Sequence, residues 1–165
     1  MTAISLFRRA LAGAIALAPV ALLTACASGG MSSGTASSSR LFELRVATTV
    51  PTAGWIRSDN AGVPGAVVYL SPQPILGAGD VTRATAQKNA AGQAVLVMQF
   101  SPAGTARLTA ATRELVGRQL AALVEGRVTN MATVQAPMTI NTMALTGFPS
   151  LEEAARVAHG LSAGK

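Results

Sequence analysis

Residues 100–129, FSPAGTARLTAATRELVGRQLAALVEGRVT, contain the most specific structural pattern in the chain. Ser101 followed by Pro102 is typical of a helix start, because a serine hydroxyl accepts from a first-turn N–H and proline there loses no hydrogen bond. Thr112 lies in the apolar stripe of this helix, where its hydroxyl can bond to a carbonyl of the preceding turn. The helix is expected to end at Gly117, since glycine tolerates the left-handed conformation that closes many helices. The stripe recurs at helical spacing and consists of Leu108, Ala111, Leu115 and Val116.

Two strands are predicted after this helix. The apolar run 120–124 suits a strand buried on both faces, and Glu125-Gly126 suits a hairpin turn into a strand that begins at Arg127. The order strand, helix, strand, turn, strand predicts an α+β fold with two layers. We expect a small, mostly antiparallel sheet with two helices packed on one face, of the ferredoxin-like type.

The other strands are predicted from alternation and from β-branched runs. Residues 81–100 are expected to form a hairpin whose first strand, within 80–88, is an edge strand. Residues 51–64 are rich in glycine and proline and are expected to be loop. The further predicted strands are 42–47, 66–70 and, within the ambiguous segment 131–146, residues 138–145.

A second helix is predicted near the C-terminus. Ser150 and Glu153 have the spacing of a capping box, and the acidic pair Glu152-Glu153 suits the positive end of the helix dipole. The same two acids resemble a paired-carboxylate site only superficially, so helix capping is the preferred interpretation. His159 is the only histidine and falls beside the apolar stripe, where helix stabilisation is favoured over catalysis.

The N-terminal residues have the pattern of a secretory signal. Arg8-Arg9 precedes the uncharged apolar run 10–23, which is too short to span a bilayer comfortably. The run ends in Leu-Thr-Ala followed by Cys26, which matches the lipobox of bacterial lipoproteins and implies lipidation of Cys26. The alternative is an ordinary signal peptide with a chance cysteine. The predicted organisation is a signal peptide at 1–25, a lipidated cysteine with a flexible Gly/Ser tether at 26–40, and a folded domain at 41–165.

Composition excludes several functional classes. The formal net charge of the 165-residue chain is +6, but its Arg and Lys residues form no run and no stripe interleaved with aromatics, which argues against a nucleic-acid partner. A single cysteine permits neither an internal disulfide nor a cysteine-based metal cluster. No nucleophile–base pair or phosphate-binding loop is recognisable, so we expect no enzymatic activity, cofactor or small-molecule substrate.

Three features are candidates for binding another polypeptide. The edge strand within 80–88 could accept an added strand. The flexible side chains of Met131, Met138 and Met143 could form an adaptable surface, or they could instead fill an irregular core between small residues. Trp55, inside the predicted loop, could anchor a partner or cap the edge of the core.

The domain resembles the head of the first periplasmic domain of SecD. The resemblance begins with YLSPQPILGAGDVTRATAQKN and includes the helix at 104–118, where Thr112, Gly117 and Arg118 occupy the family's threonine, glycine and basic positions. It continues, in the family's order, through LAALVEGRV (120–128), Ala136-Pro137, Thr146-Gly147-Phe148, residues 150–154 and LSAG (161–164). The loop NTMALTGFPS departs from the family pattern, so its details are not transferred.

The resemblance implies a role in contacting exported polypeptide. No segment after Cys26 is long and apolar enough to span a membrane, so a stand-alone head on a lipid anchor is expected. The predicted function is that of a non-enzymatic envelope lipoprotein that binds exported or unfolded polypeptide, accessory to protein export. The alternative is a structural or assembly lipoprotein that binds one folded envelope partner. The expected location is the periplasmic face of the cell envelope, and the outer membrane in a Gram-negative host, because alanine rather than aspartate follows Cys26.

Overall fold

The computed structural model describes residues 40–59 and 66–163. The signal peptide, Cys26 and nearly all of the predicted tether lie outside the described residues. The strands are β1 (Phe42–Thr48), β2 (Ile56–Ser58), β3 (Val68–Leu70), β4 (Leu76–Gly77), β5 (Val81–Lys88), β6 (Ala94–Phe100), β7 (Gln119–Val124), β8 (Arg127–Thr133) and β9 (Thr142–Phe148). The helices are a 3-10 turn (Ala78–Asp80), α1 (Pro102–Glu114) and α2 (Leu151–Ala163).

The first sheet is built around β1. Its strand order is β2-β3-β1-β7-β8, and the short strand β4 also pairs with β1. The long antiparallel ladder between β1 and β7 runs from Phe42 opposite Val124 to Ala47 opposite Gln119. Residues of β7 are buried on both faces of this sheet, as the uninterrupted apolar run predicts.

The second sheet has the order β5-β6-β9, and both pairs are antiparallel. The hairpin predicted at 81–100 is confirmed, with β5 as its edge strand. Asn89 closes the turn, since its side-chain Oδ1 accepts from the backbone N–H groups of Ala91 and Gln93.

The main core contains residues of both sheets and of both helices. The rings of Phe42 in β1 and Phe100 in β6 stack with centroids 6.0 Å apart. Helix α1 contributes Leu108, and α2 contributes an apolar stripe that includes Val157 and Leu161. The predicted α+β class, with two layers, antiparallel strands and two helices, is confirmed. The structure adds that the strands form two sheets.

The β7–β8 turn forms as predicted, with Glu125 at φ 51° and Gly126 at φ 77°. Positive φ at both central residues is the condition for a type I′ turn, whose twist matches that of the flanking strands. The glutamate adopts a conformation that is less favourable for a side-chain-bearing residue.

Several predicted boundaries are wrong. Helix α1 ends at Glu114, so Val116 lies beyond it and is 51% exposed rather than part of the buried stripe. The strand expected from residue 138 begins only at Thr142, because the backbone of Met138 bonds to side chains of α1 instead of to a strand. The predicted loop at 51–64 contains the short strand β2, which gains its partner only through the distant strand β3.

Among residues 40–59 and 66–163, no helix combines the length and the apolar character needed to cross a lipid bilayer.

Candidate binding groove

A groove of about 530 Å³ opens where the two sheets meet, between β8 and β9. Its walls are residues 130–136 on one side and residues 142–145 on the other, with Met138 and Ile140 between them. None of the lining side chains carries a charge. The volume lies within the range of about 300–1,000 Å³ that is usual for ligand sites in proteins.

The floor of the groove is the edge of the main core. Leu44 of β1, Leu120 and Ala122 of β7, and Leu145 of β9 all line it, and all four are buried. They come from both sheets, so the floor exists only because β1 and β7 are brought against β9. An apolar group placed here would be removed from water on several sides, which is the main source of favourable binding energy at such a site.

Strands β8 and β9 come together at one end of the groove. There the Asn130 side-chain Nδ2 donates to the Thr146 hydroxyl at 3.2 Å. The Asn130 Oδ1 atom is buried and accepts no hydrogen bond from the described part of the chain. This contact closes the groove at the end nearest the Glu125-Gly126 turn.

Helix α1 holds the segment that forms the outer wall. The buried Thr112 hydroxyl accepts from the Met138 N–H at 2.9 Å, and the Thr109 hydroxyl donates to the Met138 carbonyl at 2.8 Å. The Thr112 hydroxyl also donates to the Leu108 carbonyl at 2.7 Å, which confirms the bond to the preceding turn that the sequence predicts. The contact with Met138 was not foreseen, because its partners are 26 residues apart.

The structure brings the three candidate methionines together, since Met131, Met138 and Met143 all line the groove. Met138 and Met143 are also partly buried against the main core, and Met131 packs on the other face of the first sheet. The core-filling interpretation therefore applies to part of these side chains, and the binding-surface interpretation stays a prediction. The sequence did not single out Ile140, which lines the same groove and is 43% exposed.

The other candidate binding features lie elsewhere. Strand β5 is an edge strand, but Ala84 and Ala86 are half-buried on the face against which α2 packs, and its exposed side chains include Arg83 and Lys88. Trp55 is half-buried and does not line the groove. Neither feature adds an apolar surface to the site.

Glu152 and Glu153 lie in the first turn of α2, where the sequence placed them, and His159 lies on the same helix. The Ser150 hydroxyl accepts from the Glu153 N–H at 3.1 Å, which confirms the serine N-cap. His159 is exposed on the helix and is not a groove residue. No group of three or more potential metal-ligating His, Cys, Asp or Glu side chains occurs among the described residues.

Among the described residues, Glu125 and Arg156 have shifted pKa values, and they form an ion pair outside the groove. Both carboxylate oxygens of Glu125 accept hydrogen bonds from the Arg156 guanidinium, at 2.6 and 3.0 Å. This hydrogen bonding lowers the pKa of Glu125 below its ordinary value and raises the pKa of Arg156 above its own. The pair links the β7–β8 turn to α2.

Fold and site together define a small α+β domain that carries an uncharged apolar groove at the junction of two antiparallel sheets. The sequence model of the SecDF P1 head subdomain matches residues 54–165, which is more than half of the chain. The chain therefore belongs to the SecDF P1 head family, and the resemblance seen in the sequence is confirmed. Strand β1 precedes the matched region and nevertheless forms the centre of the first sheet.

Two curated relatives are translocase subunits. The chain is 29% identical over 91 residues to the protein translocase subunit SecDF of Thermus thermophilus, covering 55% of this chain and 12% of that protein. It is 32% identical over 85 residues to the protein translocase subunit SecD of Acidaminococcus fermentans, covering 52% of this chain and 20% of that protein. The chain thus spans at most a fifth of the length of these relatives.

Solved structures agree on the fold. A crystal structure of SecDF in its super-membrane-facing form superposes with a TM-score of 0.58 at 23% identity, over 76% of this chain and 19% of that one. A structure of a membrane component SecDF that enhances protein export also gives a TM-score of 0.58, at 22% identity, over 73% of this chain and 61% of that one.

Proposed function

We propose that this protein is a non-enzymatic, membrane-tethered head domain that binds unfolded or exported polypeptide in the groove between β8 and β9, as an accessory to protein export. The observation that carries the proposal is an open, apolar and uncharged groove, lined by three methionines, in a member of the SecDF P1 head family. Flexible methionine side chains can adapt to different apolar sequences, which suits a site that must accept many polypeptides.

The absence of charged side chains along the groove supports the same proposal. A charged side chain placed in this groove would lose water and would meet no opposite charge among the lining residues. Apolar segments, which are buried in folded proteins and exposed in unfolded ones, suit the groove best. The names of the curated relatives, which are translocase subunits, favour exported chains as the source of such segments.

The test uses the full chain reconstituted in lipid nanodiscs and a fluorescent protein kept unfolded by reduction and alkylation. The matched variants are Ile140→Asp in the groove and Val50→Asp outside it, because the two side chains are 43% and 64% exposed and neither change opens a core cavity. We expect Ile140→Asp to weaken binding of the unfolded protein by about tenfold or more, since a carboxylate would be buried without a partner. Val50→Asp should bind as the wild type does.

Two results would contradict the proposal. One is equal binding by both variants, which would move the site away from the groove. The other is an absence of binding to any unfolded protein together with stoichiometric co-purification of one folded envelope protein. That second result would support the structural or assembly role.

For the membrane attachment, we propose lipidation of Cys26 after removal of residues 1–25. The support is the match of Leu-Thr-Ala-Cys to the lipobox, after a basic and then an apolar segment. Several acyl chains on one residue would give firm anchoring, whereas a single chain gives only reversible binding. Labelling with an alkyne fatty acid should mark the wild type and not Cys26→Ser. Fractionation of the labelled envelope should place it in the outer membrane of a Gram-negative host, and equal labelling of both proteins would refute the anchor.

A further inference from the structure

The groove is bordered by two strand edges whose backbone groups are not used within the described structure. Strand β8 pairs only with β7, and β9 pairs only with β6. No backbone hydrogen bond joins β8 to β9 within residues 40–59 and 66–163. Each open edge is a row of N–H and C=O groups that can pair with another extended chain.

The direction of these groups on β8 follows from the ladder that it forms with β7. The Val134 N–H donates to the Arg118 carbonyl at 2.9 Å, which continues the ladder beyond the end of β8. Antiparallel pairs alternate between hydrogen-bonded and non-hydrogen-bonded positions. The N–H and C=O groups of Met131 and Thr133 therefore point away from β7, and both residues line the groove.

The same reasoning applies to β9. The Phe100 N–H donates to the Asn141 carbonyl at 2.7 Å, just before β9 begins. By alternation, the backbone groups of Thr142 and Ala144 point away from β6, and these residues also line the groove. Two residues from each strand thus present unpaired backbone groups along opposite sides of one apolar floor.

We propose that the groove binds its polypeptide as an added β-strand, through main-chain hydrogen bonds to the edges of β8 and β9. This inference rests on the proposed function and specifies its ligand: an extended, uncharged segment whose apolar side chains alternate. Alternate side chains of a strand point to opposite faces, so every second residue would enter the groove and its neighbours would face water. The hydrogen bonds would be independent of sequence, and the floor would supply a weak preference for apolar residues.

The probe is a soluble peptide with a central run of alternating valine and threonine, flanked by lysines, titrated against the full chain in nanodiscs. A set of peptides carries one backbone N-methyl group at each central position in turn, and a peptide methylated in a flanking lysine is the control. Each lost main-chain hydrogen bond should weaken binding by about threefold to tenfold. The loss should occur at every second position if one strand edge is used and at every position if both are.

Proline variants test the same contacts from the side of the protein. Thr133→Pro and Ala144→Pro each remove one N–H that points into the groove and leave the ladder to β7 or β6 intact, a placement that edge strands tolerate. The wild-type chain is the reference for affinity, and Thr133→Ala, which keeps the N–H, is the control for melting temperature only. We expect at least one proline variant to lose about threefold to tenfold in affinity while its melting temperature stays near that of the control.

The outcomes separate the two proposals. If the unmodified peptide and the unfolded protein bind but every methylated peptide and both proline variants bind equally well, strand addition is wrong and recognition is by side chains alone. If neither the unmodified peptide nor the unfolded protein binds at all, the proposed function fails and the inference fails with it.

Discussion

The groove side and the β5 side of this domain both have open strand edges, but they differ in what lies beside those edges. On the groove side, which comprises β8, β9, residues 134–141 and α1, the strand edges border an uncharged apolar floor. On the β5 side, which comprises β5 and α2, the inward face is covered by the helix and the exposed side chains are polar or charged. The β5 edge strand and the methionine-bearing segment were candidates from sequence, whereas the open edges of β8 and β9 became visible only in the structure. An open edge is suited to binding an apolar segment where the core also reaches the surface beside it.

The two helices show the same difference. Each has 13 residues, but the buried face of α1 is Gly104, Leu108 and Thr112, whereas α2 buries Ala154, Val157, Ala158 and Leu161. Helix α2 is an apolar cover for the second sheet. Helix α1 uses a glycine for close approach and a threonine hydroxyl for polar contact, so it positions its neighbours as well as covering them.

The largest effect is expected from Thr112→Val, which keeps the shape of the side chain and removes its hydroxyl. The Met138 N–H would lose its acceptor, so the free energy of unfolding should fall by about 1–3 kcal/mol in urea titrations. Binding of unfolded protein should weaken as well, because Met138 belongs to the wall of the groove.

Two further variants make this test specific. Thr112→Ser keeps the hydroxyl and should preserve binding, with a stability loss of about 0.8 kcal/mol for the missing methyl group. Thr85→Val on the exposed face of β5 should change stability by no more than about 0.5 kcal/mol. Undiminished binding by Thr112→Val would show that α1 does not position the groove wall.

A smaller effect, of opposite sign in the two helices, is expected from replacing one glycine in each by alanine. A Cβ at position 104 would lie 3.0 Å from the Asp80 Cβ, and Asp80 is held by ion pairing with Arg107 and by accepting from the Gly77 N–H. Gly104→Ala should therefore destabilise the protein by about 1 kcal/mol, even though alanine favours the helix.

In α2 the same substitution meets a softer neighbour. A Cβ at position 160 would lie 2.9 Å from the Leu41 Cδ1, the end of a flexible, half-buried side chain that can rotate away. Gly160→Ala should raise stability by up to about 1 kcal/mol through helix propensity. The melting temperature should fall in Gly104→Ala and rise in Gly160→Ala. Shifts in the same direction would contradict the proposed difference between the two glycine sites.

The smallest effect concerns the ion pair that joins the β7–β8 turn to α2. Hydrogen bonding from Arg156 lowers the pKa of Glu125, so its stabilising contribution is present above the unfolded value near 4.5 and is lost as pH falls through the lower folded pKa. Arg156→Ala should raise the pKa of Glu125 toward the ordinary value. The free energy of unfolding of this variant should then fall less steeply than that of the wild type as pH is lowered below about 4.5. NMR titration of the Glu125 carboxyl measures this directly. An unchanged pKa in the variant would assign the shift to Arg127 or to the turn itself.

Much of the fold was predictable because its signals are local. The Ser101 cap is confirmed by a bond from the Gly104 N–H, and the Glu125-Gly126 turn has the expected positive φ values. Gly117 has φ 83°, but the helix stops earlier, at Glu114, and Val116 beyond its end is exposed. Strand β2 was missed because its pairing partner is supplied by another part of the chain.

Residue spacing and turn chemistry within short stretches were enough to predict the α+β class, the two helices with their serine caps, the two hairpins and the family. The division of the strands into two sheets, and the groove lined by three methionines and Ile140, depend on tertiary contacts. The hold of α1 on the wall of that groove through Met138 depends on them as well. The physical reason is that these features arise from contacts between residues far apart in sequence, whose packing no local pattern encodes.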